Sequence, residues 1–157
     1  MTFPAKYTPS IALSKLRKYC SYQDRSHFEI KKKLEDWGFP FYEANQLVVH
    51  LIEEGFLNEE RFARSYVRGR FRMKGWGRNK IRQGLKQRYI SDNLVDIAFQ
   101  EIDEQEYEET LRKTIAAKRK SIKTENEFVR DQKLAQFAIQ RGFEPSLVWE
   151  YIKEIKD

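Results

Sequence analysis

Three stretches of the chain repeat the same order of apolar residues, and this repetition limits the fold more than any other feature of the sequence. Ile30, Ile81 and Leu134 hold equivalent positions in them, 51 and then 53 residues apart. In each stretch a second small or apolar residue follows four positions later, then comes a turn, and then an apolar run at helical spacing. This pattern predicts a pair of amphipathic helices joined by a short turn. The three stretches cover residues 26–52, 77–102 and 130–155.

A further helical segment precedes each pair. Ser10 and Asn58 suit the N-caps of the first two of these segments, and Tyr107, Leu111 and Ile115 have helical spacing in the third. Units of this size bury their apolar faces by stacking on their neighbours. The sequence therefore predicts an all-α fold of three tandem three-helix repeats in an elongated, curved array. The predicted parts are a flexible N-terminal arm followed by repeats one, two and three, over residues 1–9, 10–57, 58–102 and 103–157.

Capping patterns predict where individual helices begin. The patterns Ser26-x-x-Glu29 and Thr124-x-x-Glu127 both fit the capping box, in which a hydroxyl accepts from the backbone N–H three residues later. The second pattern predicts a long helix over residues 125–141.

Helix ends are predicted by glycines in the turns. Gly38 and Gly142 stand where a helix C-terminus needs a left-handed residue. Tyr89 occupies the equivalent position of the second repeat, so the sequence predicts a strained or different C-cap there.

The basic charge is concentrated in one window, residues 61–90. The chain has a formal net charge of +6, yet this window alone holds eleven Lys and Arg residues and no Asp or Glu, which leaves −5 for the remainder. Much of the charge falls on helix faces, as with Arg61, Arg64 and Arg68 on one face. The eleven are Arg61, Arg64, Arg68, Arg70, Arg72, Lys74, Arg78, Lys80, Arg82, Lys86 and Arg88.

Two interpretations of this window are open. It could be a solvated helix face, but like charges without a local acid repel one another, which favours an anionic partner. That partner could be a nucleic-acid backbone or an acidic protein groove. The predicted contacts are the window's cations except Arg88, together with Trp76, which lies between two glycines and could stack on a base. Trp37 and Trp149 are expected to pack between repeats.

The residue types of common active sites are few and scattered. Cys20 is the single cysteine, and the two histidines, His27 and His50, match no metal-ligand spacing. The segment Gly75-Trp76-Gly77 lacks the strand and the G-K-[ST] sequence of a phosphate loop, and is expected to be a flexible turn. We therefore expect no enzyme activity, no cofactor and no metal. No apolar leader and no run of roughly 18 apolar residues is present, so the expected compartment is the cytoplasm and no membrane contact is expected.

Three motifs, in order along the chain, resemble those of RecX regulators. Residues 25–34 (RSHFEIKKKL) resemble the R-S-x-x-E-L-x-x-K-L signature of that family. Residues 55–63 (GFLNEERFA) resemble its G-[FY]-[LI]-[DN]-[DE]-x-x-F-A signature, and residues 74–85 resemble its K-x-x-G-x-x-x-I-x-x-x-L stretch. Gly84 departs from the pattern, because the family usually has a larger polar residue there. A glycine inside a helix costs about 1 kcal/mol relative to alanine, so a less rigid helix is expected.

The resemblance implies a bacterial regulator that acts in recombination, DNA repair and the SOS response. Such proteins bind the RecA–DNA filament, lie in its groove and limit its recombinase and coprotease activities. A monomer is expected. Direct binding of single- or double-stranded DNA, and a purely structural adaptor, are the alternatives that the residues leave open.

Overall fold

All regular structure in residues 4–156, the part of the chain that this computed structural model describes, is helical. The predicted all-α fold is confirmed. Within that range the helices are α1 (Pro9–Tyr22), α2 (His27–Asp36), α3 (Phe41–Glu53), α4 (Glu59–Arg72), α5 (Arg78–Gln87), α6 (Asp92–Ala98), α7 (Glu104–Ser121), α8 (Glu127–Gln140) and α9 (Pro145–Lys156), with a 3₁₀ turn at Phe99–Glu101.

The helices form two compact units. The first contains the described residues up to Ser65 and the segment Lys86–Ile97, and the second contains Tyr66–Leu85 and the described residues from Ala98 onward. The division falls inside α4, α5 and α6. The boundaries of the three repeats, which rest on sequence periodicity, stay a prediction.

The core of the first unit is built by α1, α2 and α3. The predicted repeat positions Ile30 and Leu34 are fully buried on α2, and Leu16 of α1 and Leu51 of α3 are fully buried with them. Removing a side chain of this size from water contributes about 1.5–3 kcal/mol, so this apolar face holds the three helices together.

The core of the second unit includes the faces of α5, α7, α8 and α9 that the spacing predicted. Ile81 and Leu85 of α5 are completely buried. Tyr107, Leu111 and Ile115 of α7 are buried too, and α7 packs on both α8 and α9. Other buried members of this unit are Leu134, Ala138, Phe143, Val148 and Ile152.

Two of the predicted helix starts are wrong by a few residues. The N-cap of α1 is Thr8, whose hydroxyl accepts from Ile11 N, and not Ser10. Pro9 occupies the first helical turn, where its missing N–H costs nothing. Helix α8 begins at Glu127 with Asn126 as its N-cap, because Thr124 Oγ1 accepts from Asn126 N and forms a turn.

The other capping predictions are confirmed. Ser26 Oγ accepts from Glu29 N at 3.1 Å at the start of α2, and Asn58 Oδ1 accepts from Arg61 N at 2.8 Å. Gly38 and Gly142 have φ of 89° and 102°. Tyr89 adopts φ 57° in the equivalent turn, a left-handed conformation that costs a non-glycine residue roughly 1–2 kcal/mol. Its exposed ring meets the Phe28 ring edge-on, with the two ring centres 5.1 Å apart.

Part of the predicted N-terminal arm is packed. Lys6 N donates to Trp37 O at 2.7 Å, and the Tyr7 ring meets Trp37 edge-on at 5.1 Å. Ala5 also packs against the core of the first unit. The segment is held because the end of α2 offers it a free carbonyl and an aromatic face. Residues 1–3 of the predicted arm lie outside the described range.

Candidate functional site

In the first unit, the cations of the basic window have carboxylate partners. Arg61 Nε lies 2.7 Å from Asp24 Oδ1, and Arg64 Nε lies 3.2 Å from Glu60 Oε2. The other two pairs are Lys86 with Asp92 at 3.8 Å and Arg88 with Glu29 at 3.0 Å. Their like charges are therefore offset inside the folded unit.

In the second unit, Arg68 and Arg72 of the basic window also pair with carboxylates. Arg68 Nη1 lies 3.0 Å from Glu101 Oε1, and Arg72 Nε lies 3.8 Å from Glu106 Oε1. These carboxylates stand outside the basic window in sequence. The premise that the window's charges go uncompensated is therefore wrong for these cations, because the fold brings carboxylates to them. What remains is a set of partly exposed ion pairs, each worth about 0–1 kcal/mol.

Arg78 is placed in a half-buried cluster. The Arg78 side chain is 17% exposed. Its guanidinium pairs with Glu144, with Nη1 2.9 Å from Oε2, and also forms a short contact with Glu104. The Tyr107 hydroxyl accepts a hydrogen bond from Arg78 N at 3.0 Å and donates one to Glu144. Arg78 Cζ lies 3.9 Å from the centre of the Tyr107 ring. Burial and the bond to Glu144 raise the pKa of Tyr107 above its usual range. This network ties the start of α5 to α7 and to the α8–α9 turn, which indicates a structural role for Arg78.

The indole ring of Trp76 has two cations beside it, Arg70 and Lys80. Lys80 Nζ lies 4.4 Å and Arg70 Cζ 5.4 Å from the centre of the half-buried Trp76 ring. Neither cation has a carboxylate within ion-pair distance among residues 4–156, nor does the exposed Lys74. Arg82 is set apart from them, with its guanidinium 4.9 Å from the ring centre of Phe99. The indole keeps Arg70 and Lys80 in place without neutralising them, so they can attract an anion.

The turn that carries Trp76 is held on both sides, in contrast to the flexible turn expected from sequence. Gly75 N donates to Phe71 O at 3.0 Å, and Trp76 N donates to Arg70 O at 3.0 Å. Gly77 N donates to Arg141 O at 2.8 Å. Gly75 adopts φ 68°, which only glycine accepts easily. The turn is thus a fixed base for the Trp76 side chain.

Both histidines of the chain pair with carboxylates. His27 Nδ1 is 2.6 Å from Glu59, and burial lowers the pKa of this imidazole, while His50 pairs with Glu54 at 3.1 Å. Burial raises the pKa of the Cys20 thiol. No group of three potential metal ligands occurs within residues 4–156, and no helix in that range is both long and apolar enough to cross a bilayer.

A second set of cations escaped the sequence analysis, because α7 and α8 also contain many acidic residues. The charge of residues 103–157 is close to balanced as a whole, although residues 110–124, which include Lys118, hold six Lys and Arg residues and no Asp or Glu. That run could have marked Lys118, whereas no comparable run contains Lys133 or Arg141.

Family models match the chain in two adjacent segments. Residues 58–98 match the model for the second three-helix domain of RecX, and residues 104–152 match the model for the third. Together these segments cover more than half of the chain. The chain belongs to the RecX family.

Curated RecX relatives align over most of the chain. The regulatory protein RecX of Vibrio vulnificus is 29% identical over 126 residues, which cover 78% of each protein. The RecX of Chlorobium limicola is 27% identical over 152 residues, covering 96% of this chain and 90% of that protein. The RecX of Limosilactobacillus reuteri is longer, and the chain spans only 54% of it at 29% identity.

Solved RecX structures share the fold. A crystal structure of a regulatory protein RecX superposes with a TM-score of 0.83 at 28% identity, covering 93% of this chain and 73% of the other. The crystal structure of RecX from Lactobacillus salivarius gives a TM-score of 0.78 at 23% identity, with 94% and 96% covered. The RecX family membership and the helical-repeat architecture expected from sequence are thereby confirmed.

Proposed function

We propose that this protein regulates the RecA recombinase by binding the RecA–DNA filament and limiting its recombinase and coprotease activities. The observation that carries the proposal is the match of two consecutive three-helix domains to RecX, whose curated relatives are named regulatory proteins. The role is one of binding, with no catalysis by this chain. Cytoplasmic location, action in DNA repair and the SOS response, and a monomeric state belong to the same proposal.

The ion pairs of the basic window suit such a role. Arg61, Arg68 and Arg72 pair with carboxylates but remain 46%, 41% and 55% exposed. Exposed pairs of this kind contribute little to folding stability. A carboxylate or phosphate of a filament can therefore replace the intramolecular partner at small cost, and electrostatic attraction would speed the encounter.

The first test measures ATP hydrolysis by a RecA filament on single-stranded DNA as this protein is added. We expect inhibition that saturates, and the double variant Arg68→Gln/Arg72→Gln should need roughly tenfold more protein, which corresponds to about 1.4 kcal/mol for two surface contacts. The control Lys18→Gln/Lys153→Gln removes the same charge from exposed sites outside the window and should leave inhibition unchanged. If the unaltered protein has no effect on ATP hydrolysis up to saturation, the proposal is refuted. If both variants inhibit equally, Arg68 and Arg72 are not contacts with the filament.

Direct, sequence-independent binding of DNA is the second candidate. The observation in its favour is the Arg70–Trp76–Lys80 group, in which neither cation has a carboxylate partner among the described residues. Such binding needs no RecA and weakens with salt, because bound phosphates release counterions.

The matching prediction is that Arg70→Gln/Lys80→Gln lowers the salt dependence of binding to bare single-stranded DNA. The slope of log K against log[salt] should become shallower by about 1.4, or about 0.7 for each of two phosphate contacts. Fluorescence anisotropy over a salt series measures this slope. A slope near zero for the unaltered protein would eliminate this candidate while leaving the regulation of RecA intact.

A further inference from the structure

Helices α7 and α8 carry cations that the fold leaves without acidic partners. Lys118, Lys133 and Arg141 have no carboxylate within ion-pair distance among residues 4–156. Lys113, which lies on the same side of α7, is by contrast paired with Glu109 at 3.0 Å. The arginines of the basic window that pair with acids thus differ from this group, which offers uncompensated charge.

These cations line an open groove between α7 and α8. The groove has two adjoining parts, of about 580 and 490 Å³, which share Lys118, Ser121 and Phe137. Lys133 and Gln136 line the larger part, and Arg141 lines the smaller. No Asp or Glu is among the residues that line either part. All charged side chains that line the groove are therefore positive, which favours an anion there.

Phe137 holds two of the cations in the middle of the groove. Lys118 Nζ lies 4.7 Å and Arg141 Cζ lies 5.0 Å from the centre of its ring. Cation–π contacts of this kind stabilise a position by about 0.5–1 kcal/mol at exposed sites and leave the positive charge in place. Both groups are thus oriented before an anion arrives, which lowers the entropy lost on binding.

The groove reaches the turn that carries Trp76. A Cβ added to Gly75 would lie 3.9 Å from Arg141 Nη1, which places this guanidinium beside the turn. Lys80 and Arg70 flank the indole on that same turn. Arg70, Lys80 and Arg141 therefore lie around one turn, which joins the start of α5 to the groove between α7 and α8.

We propose that the groove between α7 and α8 binds the phosphodiester backbone of nucleic acid, with Lys118, Lys133 and Arg141 contacting phosphates. A path of several cations in an open groove without acids fits a chain of evenly spaced charges. An acidic protein segment would usually add apolar anchors in closed pockets, and the groove supplies few apolar side chains besides the already engaged Phe137. The inference rests on the second candidate function, direct binding of DNA, and does not depend on the regulation of RecA.

The test compares Lys118→Gln/Lys133→Gln with the charge-matched control Lys18→Gln/Lys153→Gln, in the full chain and without RecA. The probe is a fluorescent single-stranded oligonucleotide, measured by anisotropy over a salt series. The groove variant should lose about 1.4 from the slope of log K against log[salt], which is roughly 25-fold in affinity near 0.1 M salt. Both lysines lack ion pairs within the described chain, so equal melting temperatures should show that the variant folds.

Two results would overturn the assignment. Equal slopes for the groove variant and the control would mean that the groove does not contact phosphates. Binding of polyglutamate that is lost in the groove variant, with oligonucleotide binding unchanged, would assign the groove to an acidic protein. The oligonucleotide and polyglutamate measurements contain no RecA, so their failure is separable from failure of the RecA assay. A separate assay in which the groove variant still inhibits RecA would leave the regulation of RecA standing.

Discussion

Gly77→Ala is expected to destabilise the protein by about 3 kcal/mol or more. A Cβ on Gly77 would lie 2.5 Å from Gly142 O, and closer still to the carbonyl carbon of Gly142 and the amide nitrogen of Phe143. These are backbone atoms, so no side-chain rotation can relieve the overlap, and the α8–α9 turn must move away. That movement would break the hydrogen bonds Gly77 N to Arg141 O and Asn79 N to Gly142 O. Overpacking a well-filled site usually costs 1–3 kcal/mol, and more when the backbone is displaced.

Chemical unfolding in urea measures this effect, with Gly69→Ala as the control. Gly69 lies in α4 with no atom within 4 Å of an added Cβ. Its replacement should stabilise the protein by up to about 1 kcal/mol, because alanine is the better helix former. Gly77→Ala with the stability of the unaltered protein would show that the crossing of α5 and the α8–α9 turn is loose.

Gly84→Ala is expected to cost about 1–3 kcal/mol, although alanine is the better residue for the middle of a helix. A Cβ on Gly84 would overlap the Tyr66 hydroxyl and lie 2.8 Å from Tyr66 Cζ. Tyr66 is only 8% exposed, so its ring has little room to turn. The steric cost should therefore exceed the gain of about 1 kcal/mol in helix propensity.

A double-mutant cycle with Tyr66→Leu separates the two terms. Because leucine has no atom where the Tyr66 hydroxyl lies, Gly84→Ala should cost less, or become stabilising, in the Tyr66→Leu background. Urea midpoints of the four proteins give the coupling free energy, which is expected to exceed 0.5 kcal/mol. Additive changes would contradict the packing of Tyr66 on Gly84.

Gly84 shows how a local rule can mislead. From the sequence, a glycine inside a helix was expected to make α5 less rigid. The structure instead shows a close contact between Gly84 of α5 and Tyr66 of α4. Gly77 was likewise expected to belong to a flexible turn, and it instead permits contact between two stretches of backbone. Neither contact could be predicted from local sequence rules, because each joins residues that are apart in the chain, 66 with 84 and 77 with 142.

Helical periodicity, together with capping residues and turn glycines, determined the all-α fold, most of the helix boundaries and the buried faces. These depend on interactions between near neighbours: Ile30 and Leu34 share a face, Ser26 caps the helix that follows it, and Gly38 accepts φ 89°. The motifs in the first half of the chain also sufficed to identify the family.

Only the tertiary structure decided which charges remain available. Arg68 and Arg78 stand in a run without acids, yet Glu101 and Glu144 reach them from 33 and 66 residues away. Lys133 and Arg141 lie close to Asp131 and Glu144 in the sequence, yet they line a groove that has no acid among its lining residues. Charge compensation acts over a few ångströms in space, and distance along the chain does not report it.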